Sequence, residues 1–325
     1  MHGTVDDRRA GLLVAAAVGD ALGAGHEFGP PMPQEAPVEM TGGGPLGLAP
    51  GEWTDDTAMA YALAEAVARN LDPTSPAFEE AVVARWLEWA DSQPPGMGAQ
   101  TRSVLRGAQE RRADGLRDAS LAHFAANPEH SAGNGALMRT APLALAPMSD
   151  WGYFTAAEAI GELTHADPVS GEACGIWTYA CHHALVHGTF DGVREALTYL
   201  PERRAAFWGG LLDDAERLPI TTFANNGWVV HALQAAWAAI SQTPIPDDDP
   251  PAHLRLALAA AVRGGGDTDT VACIAGGLLG ARWGASAVPE EWVSVLHGWP
   301  GATAVDLVRL SRRSPRDEFL SRPRG

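Results

Sequence analysis

Apolar residues recur at helical spacing along most of the chain. Leu12, Leu13, Ala16 and Ala17 begin one stripe, and Met59, Leu63 and Val67 with Ala60 and Ala64 mark another. The same periodicity predicts further helices at about 78–90, 100–112, 136–146, 156–164, 170–187, 225–241, 252–263, 269–284 and 302–312. Strand-like alternation is scarce. Elements of this kind can bury their apolar stripes only against one another, so the expectation is an all-α, compact, single-domain multi-helix bundle. Alanine and glycine occupy many of the apolar faces, as in Gly276-Gly277 and Gly280, which lets helix backbones approach closely. Gly- and Pro-rich stretches at 28–53, 91–101 and 243–251 break the pattern and read as loops. Residues 312–325, with Arg and Pro but little apolar matter, read as a flexible C-terminal tail behind a domain spanning 1–311.

Composition narrows the classes of function. A chain of 325 residues can bury a substantial core. It shows no membrane-length apolar run and no basic, signal-type start, so a cytoplasmic monomer with no membrane partner is expected. Cys174, Cys181 and Cys273 form no CxxC pair and sit in apolar stretches, as buried thiols do. A net charge of -17 disfavours gripping a nucleic-acid backbone. All 23 cationic residues are arginine, which removes a P-loop lysine and any Schiff-base mechanism. Phosphate, if bound, must be held by backbone amides, Arg, hydroxyls or metal. Asp247-Asp248-Asp249, between prolines, reads as a solvated acidic turn.

Two segments exceed what local structure needs. Trp53-Thr54-Asp55-Asp56-Thr57 precedes a helix, where one Asp or Thr would suffice as a cap. Gly264-Gly265-Gly266-Asp267-Thr268-Asp269-Thr270 has the same form, behind a glycine run that lets the backbone approach a ligand. If the two face each other, four carboxylates converge with no base in either motif, so protons or cations must intervene. Two divalent ions would match the four charges. All-oxygen ligation favours Mg, Mn or Ca over zinc.

In the same order along the chain, Gly19-Asp20-Ala21-Leu22-Gly23 through Glu27, the Thr54-Asp55-Asp56 motif, Gly133-Asn134-Gly135-Ala136-Leu137-Met138-Arg139, Thr164-His165 and the Asp267-Thr268-Asp269-Thr270 motif resemble the ADP-ribosylglycohydrolase family. The resemblance spans roughly residues 8 to 285. It implies an all-α fold with a binuclear Mg or Mn centre, Mg being preferred. It also implies hydrolysis of the N- or O-glycosidic bond between ADP-ribose and an acceptor, with an ADP-ribosylated protein or small molecule as substrate and ADP-ribose as product. Carried over by position, Thr54, Asp55, Asp56, Asp267, Asp269 and Thr270 become metal ligands, with Asp269 bridging both ions. Glu27 stands at the mouth of the metal site and, with Asp55 and Asp56, supplies the candidate catalytic carboxylates. Asp20, inside the first helix, reads as a structural cap or a helix-pairing residue.

Ser131, Gly133, Asn134 and Gly135 would seat the diphosphate on backbone amides at the start of the next helix. His165 resembles a substrate contact, and Arg139 pairs either with a helix C-terminus or carboxylate or with phosphate. The reaction passes through an oxocarbenium-like state, with one carboxylate accepting a proton from the attacking water. The alternatives are a binuclear metallophosphoesterase that cleaves the diphosphate and a non-catalytic ADP-ribose binder. One loop departs from the family pattern. Arginine-directed members carry Asp-Ile-Gly before Asn-Thr-Thr-Arg, whereas this chain has Gly96-Met97-Gly98-Ala99-Gln100-Thr101-Arg102. The missing acid removes a charge-assisted contact to a guanidinium, so either arginine is not the preferred acceptor or Asp91 substitutes for the missing acid.

Overall fold

In the computed structural model, residues 3–312 are described, and the predicted tail beyond Arg312 lies outside them. The helices are α1 (Val5–Ala24), α2 (Asp55–Ala68), α3 (Pro76–Asp91), α4 (Ala99–Gly107), α5 (Ala113–Ala126), α6 (Asp150–Glu162), α7 (Pro168–His187), α8 (Gly192–Glu195), α9 (Glu202–Arg217), α10 (Val229–Ser241), α11 (Ala252–Arg263), α12 (Thr268–Trp283), α13 (Glu290–Val293) and α14 (Ala304–Ser311). Two-residue strands β1 (His297–Gly298) and β2 (Ala302–Thr303) form the one sheet among the described residues, paired antiparallel. The all-α expectation holds. No described helix is long and apolar enough to cross a membrane.

The centre of the bundle is the pair α1 and α12, both apolar around most of their circumference and buried along nearly their whole lengths. They run antiparallel in a fixed register set by small residues. A Cβ on Gly280 would lie 2.0 Å from Gly11 O, one on Gly276 2.2 Å from Ala15 O, one on Gly19 2.1 Å from Ala272 O, and one on Gly23 2.4 Å from Thr268 O. The obstructing atoms are backbone, which cannot rotate aside. An alanine at any of these positions forces the helices apart, at a cost on the order of 1–3 kcal/mol or more. The register brings the C-terminal end of α1 against the N-terminal end of α12, where Thr268 Oγ1 donates to Gly23 O at 2.8 Å.

Helix α2 is joined to this seam by Asp20. Its carboxylate, fully buried, accepts from Thr54 N at 2.9 Å, Thr57 N at 2.9 Å and Thr57 Oγ1 at 2.6 Å. A side chain of α1 thus caps the first turn of α2 across the interface, the structural role expected for it.

Several boundaries differ from the periodic reading. The predicted helix over 136–146 is two short 3-10 turns, Leu137–Arg139 and Ala141–Leu145. Pro142, which lacks the N–H an α-helix interior requires, sits in the second. Helix α4 stops at Gly107 and α10 begins at Val229, behind Asn225-Asn226-Gly227. Helices α5 and α9 lie where the stripe reading placed none.

Candidate active site

Three chain segments meet at one end of the α1–α12 seam: the stretch leaving α1, the start of α2 and the start of α12. Glu27 follows α1. Phe28 N donates to Gly266 O at 2.6 Å and Gly266 N to Gly29 O at 2.9 Å, clasping this stretch to the glycine run before α12. Gly265 and Gly266 both have φ of +76°, and a Cβ on Gly265 would lie 2.6 Å from Pro31 N. Only glycine fits that turn without strain.

The carboxylates converge as two triads that share one member. Single oxygens of Asp20, Asp56 and Asp269 lie within 4.8 Å of one another, and so do single oxygens of Glu27, Asp267 and Asp269. Thr54 Oγ1 donates to Asp56 Oδ2 at 2.9 Å, and Thr270 Oγ1 approaches the same oxygen at 3.4 Å. Asp55 Oδ2 accepts from Gly98 N at 3.2 Å, which ties the α3–α4 loop to the site. The structure therefore brings Glu27, Thr54, Asp56, Asp267, Asp269 and Thr270 together, with Asp55 on the side of that loop.

The electrostatics fit a cation. Burial foremost, then Asp267 and Asp20, raises the Glu27 carboxyl to about 7. Burial foremost, with Asp20 and Asp267 adding and the Gly98 amide opposing, raises Asp55 to about 7. Burial and the neighbouring acids push Asp56 and Asp269 well above the ordinary range. Three buried oxygens, Glu27 Oε2, Asp56 Oδ1 and Asp269 Oδ1, have no hydrogen-bond partner among the described residues. A buried carboxylate oxygen without a partner is costly, and here three point into one cluster that holds no base. Oxygen donors in this arrangement suit hard divalent cations.

The second wall is the segment 131–135. Asn134 N donates to Gly227 O at 3.1 Å and Val229 N to Ala132 O at 2.9 Å, a short ladder against the start of α10. Asn134 Nδ2 donates to Asn226 O at 2.8 Å and to Asp267 Oδ2 at 2.7 Å. The predicted diphosphate seat is thus wired directly to the acidic cluster. Ser131 is fully buried and spends its hydroxyl on Asn127 O at 2.6 Å. Since 3-10 turns follow the loop where an α-helix was expected, a long helix dipole does not aim at it. Any anion there depends on the free N–H groups of Gly133 and Gly135.

His165 packs against those glycines: a Cβ on Gly133 would be 3.2 Å from its Nε2 and one on Gly135 3.1 Å from its Cε1. Burial, then Arg139 and His123, holds its imidazolium well below the usual range, so the ring is neutral. Arg139 points away from the acids. It donates to Ile160 O at 3.3 Å near the C-terminal end of α6 and to Thr164 Oγ1 at 2.7 Å, with its guanidinium 4.1 Å from the Trp86 ring centroid. Of its two expected partners, the helix C-terminus is the one it meets.

Two residues escaped the sequence reading. Asn226 accepts from Asp267 N at 2.9 Å and donates to Gly265 O at 2.8 Å, fixing the metal-motif turn. Gln100 donates to Ser131 O at 3.0 Å and Thr164 O at 3.1 Å, fixing the other wall. The Asn225-Asn226-Gly227 turn was the available signal for the first. Nothing local marked the second.

Fold and site define a class: an all-helical protein whose oxygen-rich acidic centre lies where three helix-end segments meet, beside a glycine loop. The family model described as ADP-ribosylglycohydrolase matches residues 1–318. The ADP-ribosylarginine hydrolase Tri1 of Serratia proteamaculans is 31% identical over 297 residues, covering 89% of this chain and 75% of its own. The ADP-ribosyl-dinitrogen reductase glycohydrolase of Rhodospirillum rubrum is 30% identical over 302 residues, covering 90% and 91%. A solved structure described as an ADP-ribosylglycohydrolase-related protein complex superposes with a TM-score of 0.68 at 28% identity, covering 94% of this chain and 96% of that one. The chain belongs to the ADP-ribosylglycohydrolase family. It is a glycosyl-bond hydrolase that removes ADP-ribose from an acceptor and so reverses ADP-ribosylation, and its family uses divalent metal ions.

Proposed function

We propose that Thr54, Asp55, Asp56, Asp267, Asp269 and Thr270 hold two divalent cations, Mg in preference to Mn, with Asp269 shared between them. The observation that carries this reading is the convergence of the partnerless oxygens of Glu27, Asp56 and Asp269, with Asp269 common to both acid triads. Bound cations supply Lewis acidity and neutralise the acids. The rest is the work of the protein's own groups. Glu27, half-buried at the mouth with its carboxyl near 7, accepts the proton of the water that attacks C1 of the ribose. Asp55 and Asp56 complete the acidic wall. Gly133 and Gly135 present their amides to the diphosphate, Asn134 fixes that loop against Asp267, and His165 packs against it, while Ser131 shapes the loop through its carbonyl.

The likeness to Tri1, an ADP-ribosylarginine hydrolase, favours arginine as the acceptor. A second reading, an oxygen-linked acceptor, is favoured by the α3–α4 loop. Gly96 has φ of +85°, and a Cβ there would lie 2.6 Å from Leu46 Cδ1, so an acid fits poorly at that position. Asp91 is exposed and bound to Arg111 at 2.7 Å. Wild-type enzyme assayed on arginine-, serine-, nucleobase- and O-acetyl-linked ADP-ribose, with Mg and with Mn, decides between them. Release of free ADP-ribose fastest from arginine with Mg is the expected result. A strong preference for serine or O-acetyl linkages moves the acceptor assignment to the second reading, and AMP with ribose phosphate as products overturns cleavage at C1.

A further inference from the structure

Behind the glycine loop lies a charge that nothing in the proposed reaction uses. Arg139 is fully buried and no carboxylate partners it among the described residues. Its contacts are Ile160 O, Thr164 Oγ1, Met59 Sδ at 3.6 Å and the face of Trp86. A guanidinium can only donate hydrogen bonds. Thr164 Oγ1, also fully buried, therefore accepts from Arg139, which leaves its single hydrogen free to donate to His165 Nδ1, 2.7 Å away. An Nδ1 that accepts must belong to a ring protonated at Nε2. That nitrogen is the edge of the ring facing Gly133 and Gly135, and it has no hydrogen-bond partner among the described residues.

We propose that Arg139 is a positioning residue that acts through Thr164 to fix His165 as the Nε2–H tautomer, so that the imidazole presents a neutral N–H donor to the oxygen-bearing part of the ligand seated on Gly133–Gly135. This rests on the assignment of that loop to ADP-ribose. The relay sets a polarity: the wall offers a donor without offering a cation, so it orients a ligand oxygen and adds no charge of its own to the site.

Nitrogen-15 NMR of histidine-labelled enzyme tests the relay independently of activity. The wild-type His165 ring should show a protonated Nε2 and a bare Nδ1 at neutral pH. Thr164→Ser keeps the hydroxyl and should keep that signature. Thr164→Val keeps the shape, should leave a mixture of tautomers, and should weaken ADP-ribose binding by roughly tenfold with metal content unchanged, as expected for one oriented hydrogen bond. A wild-type ring protonated at Nδ1 overturns the proposal, even if the valine variant does not fold. A lost signature with unchanged ADP-ribose affinity leaves the relay in place, and the assignment of the loop to ADP-ribose is then what fails.

Discussion

The two walls of the site are both buried and polar, yet they are finished in opposite ways. On the loop wall, Gln100 Nε2, Thr164 Oγ1 and Ser131 Oγ are paired internally, and of the Arg139 nitrogens Nε lacks a partner among the described residues. On the acidic wall, three carboxylate oxygens have none among the described residues and the acids raise one another's pKa. A polar region can be made stable by internal pairing or left to be completed by a ligand, and the difference marks which groups serve structure and which serve chemistry. Asp20 shows the distinction within one cluster. It is as buried as Asp269, but its oxygens are consumed by the cap of α2.

The contrast can be broken most severely at its shared acid. Asp269→Ala should lower kcat/KM by about a thousandfold or more and release bound metal, since electrostatic stabilisation of this kind is worth several kcal/mol. Metal analysis alongside turnover checks it, and a variant with wild-type metal content and activity ends the shared-ligand assignment. Next in size, Asp56→Asn should raise the stability of the chelator-treated protein by about 1–3 kcal/mol, because it removes a carboxyl whose ionisation burial and the neighbouring acids disfavour and whose Oδ1 has no partner among the described residues. Urea melts in chelator, set against melts in excess Mg, would reveal the opposite orders of stability expected.

Asn134→Ala acts on both walls, because the asparagine side chain reaches Asp267 as well as Asn226. It should weaken ADP-ribose binding and also lower metal affinity, each by about tenfold, since the Asp267 contact is lost with it. Titration calorimetry with each ligand separates the two effects, and unchanged metal affinity would detach the loop from the acids. Smallest of all, Gly135→Ala should weaken ADP-ribose binding by a factor of about five, as a methyl 3.1 Å from His165 Cε1 displaces the ring, with metal content intact. Equal affinity for ADP-ribose would mean that the ring can yield.

The acidic wall was the more legible one, because its residues lie in two contiguous motifs at helix starts. The loop wall draws on Gln100, Ser131, Arg139, Thr164 and Asn226, whose alliance is set by packing that no local spacing encodes. The same division runs through the fold. The stripe at Leu12 and the one at Met59 sit on helices buried on most sides. Helix α9 buries only Trp208, Leu212 and Ala215, and α5 only Ala113, Gly115, Leu116 and Ser120, too thin a stripe to rise above their polar faces. Pro142 was the visible warning against a continuous helix over 136–146.

The register of α1 against α12 also has a consequence in time. Thr268 and Gly23, which touch at the end of that seam, are 245 residues apart in the chain. Glu27, Asp55 and Asp56 leave the ribosome long before Asp267 and Asp269, which come with the last long helix. Contacts of such long range form late and slowly. The acidic cluster is therefore complete only when both ends of the chain are in place, and a chain that stops short of α12 lacks Asp267 and Asp269.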